Sequence, residues 1–108
     1  MNLKSCFQIV LVTAPLLPVA RKLAGKILAA RLAACVNLLP GVESHYWWQG
    51  KLERGNEILM LIKTTADQLK PLRRLIKRHH PYETPEFIAL PITSGSRKYL
   101  KWIEASVK

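Results

Sequence analysis

Between Cys35 and Thr65 the chain reads as two long β segments separated by a short polar stretch, and a hairpin of that length dictates much of what surrounds it. Cys35-Val36-Asn37-Leu38-Leu39 has strand composition. Pro40-Gly41 then interrupts it. Pro removes a ladder donor and Gly permits unusual backbone angles, so the pair predicts a bend or bulge rather than an end. The strand resumes from Val42 to Gln49, where Tyr46, Trp47 and Trp48 are strong β-formers. Gly50-Lys51 begins a turn, and Leu52-Glu53-Arg54-Gly55-Asn56 is polar and turn-prone after its first residue. Glu57 to Thr65 is a second, buried strand. Such a hairpin is longer than a chain of 108 residues needs for its own core.

The remaining elements fall around it. Phe7-Gln8-Ile9-Val10-Leu11-Val12-Thr13 is an almost unbroken apolar, β-branched run, as expected of a central strand. Pro15 and Pro18 bracket a turn, with Pro18 placed to open a helix. From Ala20 the apolar positions Leu23, Ala24, Ile27 and Leu28 have helical spacing. A second helix starts near Asp67, takes Pro71 in its first turn, and places Leu69, Leu72, Leu75 and Ile76 on its apolar face. It stops at His79-His80-Pro81. Phe87 to Ile92 is a fourth strand whose Pro91 marks an edge or an end. Ser94-Gly95-Ser96 is a loop, and Tyr99 to Ile103 a short last helix.

The order strand, helix, strand, strand, helix, strand, plus a C-terminal helix, predicts an α+β chain. Its form is a single ferredoxin-like βαββαβ domain over residues 1–108, with an antiparallel sheet and both main helices on one face. The strands Ile58 to Ile62 and Phe87 to Leu90 are too apolar on both sides for a wet open face. Self-association through the sheet buries that face and the hairpin together, so an obligate oligomer is expected.

Composition sets the outer limits. No apolar run approaches the ~18 residues of a membrane span, and the N-terminus lacks a secretory pattern, which makes the expected compartment cytoplasmic. Cys6 and Cys35 form no disulfide framework and fit no zinc spacing. The net charge of +10 would attract nucleic acid or another anionic surface without sequence preference. Against RNA recognition, Ile58-Leu59-Met60-Leu61-Ile62 displays no aromatic side chain and no base-stacking signature. Nucleic acid is therefore not an expected partner, except for nonspecific binding through the basic helix face.

The densest chemistry is His79-His80-Pro81-Tyr82-Glu83-Thr84-Pro85-Glu86, at the end of the basic helix. Imidazole is the commonest metal ligand and suits divalent copper. Adjacent helical residues point about 100° apart, so His79 and His80 can share one ion only if Pro81 breaks the helix. A cationic His in the last turn would equally serve the helix dipole. In the hairpin, alternation sends Trp47 to one face and Tyr46 and Trp48 to the other. These aromatics are packing residues or the wall of a small-molecule pocket between subunits, with Lys51 and Glu83 as polar contacts. No phosphate loop, nucleophile elbow or His-Glu-x-x-His is present, and Cys35 has no base beside it, so no enzyme is expected.

Several motifs together carry a resemblance. Thr13-Ala14-Pro15, Ala33-Ala34-Cys35-Val36-Asn37, Pro40-Gly41-Val42, Tyr46-Trp47-Trp48-Gln49-Gly50-Lys51, Ile62-Lys63-Thr64, His80 to Glu86, Leu90-Pro91-Ile92 and Tyr99 to Ile103 follow in order along nearly the whole chain. In these the chain resembles the CutA family of divalent-cation tolerance proteins. The resemblance implies a homotrimer related in architecture to PII signalling proteins, with sheets packed inward and long hairpins reaching neighbours. It implies a response to copper(II) or another divalent cation, with ligation by His79 and His80, and no established enzymatic reaction. A cysteine that some members carry before the Thr-Ala-Pro segment is Val12 here, so that thiolate ligand is missing. The alternative it implies is a PII-like small-ligand sensor, with an interface pocket around Trp48, Lys51, Tyr82 and Glu83.

Overall fold

Alternation in β1 (Phe7–Ala14) and in β3 (Lys51–Thr65) divides the sheet into two unlike faces. Val10, Val12 and Ala14 of β1, with Ile58, Met60 and Ile62 of β3, are buried on one side. There they meet Ala20, Leu23 and Ile27 of α1 (Leu17–Ala29) and Leu72 and Ile76 of α2 (Leu69–His79). Each Val, Leu, Ile or Met among them contributes about 1.5–3 kcal/mol by leaving water. The computed structural model, which describes residues 6–108, adds β2 (Cys35–Trp48), β4 (Ile88–Pro91) and α3 (Arg97–Ser106). Strand order is β2-β3-β1-β4, every neighbouring pair antiparallel, with α1 and α2 on one face. This is the ferredoxin-like arrangement expected.

Local chemistry accounts for the element ends. Leu16 is extended and a proline lies in the first turn of α1, where its missing N–H costs nothing. After Ala30 the chain reverses through Arg31 at φ 56°. A 3-10 turn over Ala66–Gln68 precedes α2, so the regular helix begins at Leu69 rather than near Asp67. At its other end His80 is already extended, with ψ 137°, as Pro81 requires of the residue before it. Pro91 closes a four-residue edge strand, shorter than the six residues predicted. The last helix begins at Arg97 under the Ser96 cap and runs to Ser106, longer than its apolar residues indicated.

The hairpin differs most from expectation. Its turn is Gln49-Gly50, both at positive φ (49° and 77°), as a two-residue hairpin turn of the primed kind needs. Trp48 pairs with Lys51, and the ladder runs on through Tyr46 opposite Glu53 and Ser44 opposite Gly55. Glu53 to Asn56, read as turn-prone from polarity, are therefore strand. A ribbon exposed on both faces has no need of apolar alternation, so composition misleads there. Pro40 and Gly41 oppose the single residue Ile58, which is the predicted bulge, with Gly41 at φ 77°.

Beyond Ile58, which pairs with the last residue of β1, the hairpin continues as two strands alone. It stretches the molecule to 45 Å and the radius of gyration to 14.4 Å, against roughly 13 Å for a compact chain of about 100 residues. On the open sheet face Leu11 lies between Ile88 and Leu61, and Ile9 beside Leu90. Ile88, Leu90 and Leu39 stay 41–48% exposed. α3 covers only one end of that face, where Leu100 and Ile103 bury Phe7.

Candidate functional site

The proline-rich loop after α2 begins with His80, which is 7% exposed. Its Nε2 lies 2.7 Å from the Thr13 carbonyl at the end of β1. Its Nδ1 accepts the Tyr82 backbone N–H at 3.0 Å. A carbonyl only accepts and an N–H only donates, so the proton sits on Nε2 and both nitrogens are engaged. His79 is exposed, one residue earlier in the last helical turn. Partial desolvation, then the charges of Lys26, Arg78 and Lys22, hold its pKa below the ordinary histidine value. As folded, the helix end thus offers one accessible imidazole, among cations that repel a divalent ion. Among the described residues, no three His, Cys, Asp or Glu side chains converge on a point.

Past His80 the loop curls over the end of β1 toward the base of the projecting ribbon. The two enclose an open cleft of about 810 Å³. Tyr46 and Trp48 supply its ribbon wall, and Tyr82, Glu83 and Glu86 its loop wall, with Thr13 and Glu57 between them. Trp47 is outside, as alternation predicts, and 70% exposed. Of the residues singled out from sequence, Trp48, Tyr82 and Glu83 come together here. Lys51 faces Trp48 across the hairpin turn and is not part of the lining.

Tyr82 ties the loop to the ribbon: its hydroxyl donates to Glu57 Oε2 at 2.8 Å, and its ring lies 4.7 Å from that of His80. Burial first, then the bond to Glu57, push the phenol pKa above its ordinary value, so it remains a donor at any physiological pH. Glu86 is half-buried, and its pKa is raised by burial and then by the charge of Glu57. Glu57 was read from sequence only as the first residue of a strand. Its place in the cleft depends on hairpin register, which nothing local announces. His45, also in the lining, is held by Glu43 at 2.7 Å.

The model of the CutA1 divalent ion tolerance protein family matches residues 8–106, from the first strand to the last helix. The chain belongs to the CutA1 family. It is 49% identical over 100 residues to the divalent-cation tolerance protein CutA of Citrobacter koseri, an alignment covering 93% of this chain and 87% of that protein. Among solved structures, CutA1 from Oryza sativa superposes with a TM-score of 0.93 at 43% identity, over 98% of this chain and 97% of the other. The divalent cation tolerance protein from Thermus thermophilus gives 0.92 at 43%, over 94% and 99%. The CutA1 match therefore spans the helix end and the cleft alike. Among the described residues of this CutA1 chain, no helix is long and apolar enough to cross a membrane.

Proposed function

We propose that this chain is a non-catalytic, cytoplasmic homotrimer that takes part in the response to divalent metal ions. Copper(II) or a similar cation is the ion bound. Membership of the CutA1 family supports the role. The observation that carries the binding site is His79, an exposed imidazole whose pKa is held below the ordinary histidine value, which favours the neutral form with a free lone pair. His80 is the second ligand of this proposal, and it can serve only by giving up the Thr13 carbonyl or the Tyr82 N–H. Copper(II) titration of the wild type, His79→Ala, His80→Ala and the double variant tests the assignment. Removing His79 is expected to weaken binding at least tenfold, and equal affinities across all four would overturn the site.

The trimer is supported by the apolar face. Ile88, Leu90 and Leu39 on the sheet, and Trp47 and Leu52 on the ribbon, are large apolar side chains left in water by one chain. The cleft favours the second reading, a PII-like small-ligand sensor, because it combines aromatic walls with a few polar groups. Trp48, Tyr82 and Glu83 are its contacts, with Lys51 contributing if the hairpin tip folds over a bound ligand. Ligand-induced shifts in thermal stability across pools of metabolites would support it. A Trp48→Ala variant with an unchanged response profile would count against it.

A further inference from the structure

The charge of this molecule is unevenly divided. Of seven Asp and Glu, Glu43 and Glu53 lie on the ribbon and Glu57, Glu83 and Glu86 line the cleft. Of the other two, Glu104 lies on α3, and Asp67 accepts from the Thr65 hydroxyl in the 3-10 turn before α2. The two helices on the opposite face of the sheet core carry none. α1 contributes Arg21, Lys22 and Lys26, and α2 reads Leu-Lys-Pro-Leu-Arg-Arg-Leu-Ile-Lys-Arg-His, with no acidic residue in either. The reason lies in packing. Leu69, Leu72, Leu75 and Ile76 take the inner side of α2, which leaves its five cations outside and exposed. Among the described residues the only carboxylate within ion-pair distance of a basic side chain is Glu43, beside His45 on the ribbon, so these cations have no acidic partner.

The two helices pack side by side in that layer. Lys22 and Lys26 of α1 act on His79 at the end of α2 together with Arg78, so the two sets of cations share one surface. Two of them, Lys70 and Arg73, also edge a notch of about 460 Å³ against Phe87. Covering the apolar sheet face in an oligomer leaves this layer outside. Neither helix contains Phe, Tyr or Trp, and α2 exposes no large apolar side chain. The face thus lacks the large aromatic platforms on which successive bases stack and, along α2, what would insert into a bilayer. What it offers is point charges. Lys70 to Lys77 spans roughly 10 Å of helix at about 1.5 Å per residue. A duplex presents one phosphate charge per about 1.7 Å of axis.

We propose that the outer face of α1 and α2 docks on the phosphate backbone of double-stranded nucleic acid without reading its sequence. The test is fluorescence anisotropy with two labelled duplexes of unrelated sequence, each about 25 base pairs long, over a series of salt concentrations. The full chain is compared with Arg73→Gln/Arg74→Gln/Lys77→Gln, whose positions are exposed; circular dichroism and sedimentation verify its fold and assembly. The two duplexes should bind equally, with log affinity falling linearly in log salt. The variant should bind at least tenfold more weakly at low salt, with a salt slope smaller by about 3. Absence of duplex binding at low salt, binding that depends on sequence, or a variant with the wild-type slope would each overturn the proposal. Binding to phosphatidylserine vesicles or to polyglutamate, without duplex binding, would overturn it in favour of a lipid surface or an acidic protein.

Discussion

His80 joins three segments through one ring, because its Nε2 reaches the end of β1 while its Nδ1 reaches the backbone of Tyr82. Truncation leaves a carbonyl and an N–H without partners in a site closed to water, at about 1–3 kcal/mol. His80→Ala is expected to lower the unfolding free energy by that amount in urea titrations, whereas His79→Ala, at an exposed position, should leave it within ~0.5 kcal/mol. Tyr82→Phe removes only the bond to Glu57 and should cost about 1 kcal/mol. Glu86 gives the site a pH signature. Its folded pKa lies above the ordinary 4.5, so its contribution to stability is full below that value and is lost as pH rises through the folded pKa. Glu86→Gln should therefore raise stability at neutral pH and flatten its decline above pH 4.5. Denaturation midpoints with the same pH slope as wild type would contradict this.

At the scale of elements, the projecting ribbon depends on two glycines at φ 77°. A Cβ at Gly41 or Gly50 would meet nothing within 4 Å, so a substitution there carries backbone strain and no clash. Gly50→Ala should cost roughly 1–2 kcal/mol, the penalty of the left-handed region for an L residue. Gly50→Asn should be nearly neutral, because Asn tolerates that region in a hairpin turn. Chemical denaturation of the two variants side by side separates the explanations, since equal losses would point to packing at the tip rather than to φ.

For the whole molecule, the apolar sheet face and the bare ribbon belong to one problem. Two strands alone are marginal in water, and the exposed pair Trp47 and Leu52, directly opposite each other at the tip, gains nothing until another surface covers it. A charge on the open face should therefore strike assembly before it strikes the fold of one chain. If the proposed trimer forms through this face, Leu90→Lys, at an edge position 46% exposed, is expected to shift the sedimenting species from three chains toward one while far-UV circular dichroism is kept. A trimer of unchanged stability would remove this face from the interface.

Periodicity determined the order of elements and the side each helix buries, and the backbone chemistry of Pro and Gly determined the bulge at Pro40-Gly41 and the stop at Pro81, because each follows from geometry within a few residues. Sequence reading failed at Glu53 to Asn56, where a solvated ribbon needs no apolar alternation. The cleft was only half legible. Tyr82, Glu83 and Glu86 stand in one motif, but Glu57 reaches them through strand register, a long-range property. The two adjacent imidazoles looked equivalent in the sequence. Only the tertiary structure separated them, by bringing the Thr13 carbonyl, 67 residues away along the chain, within reach of one ring and leaving the other in solvent.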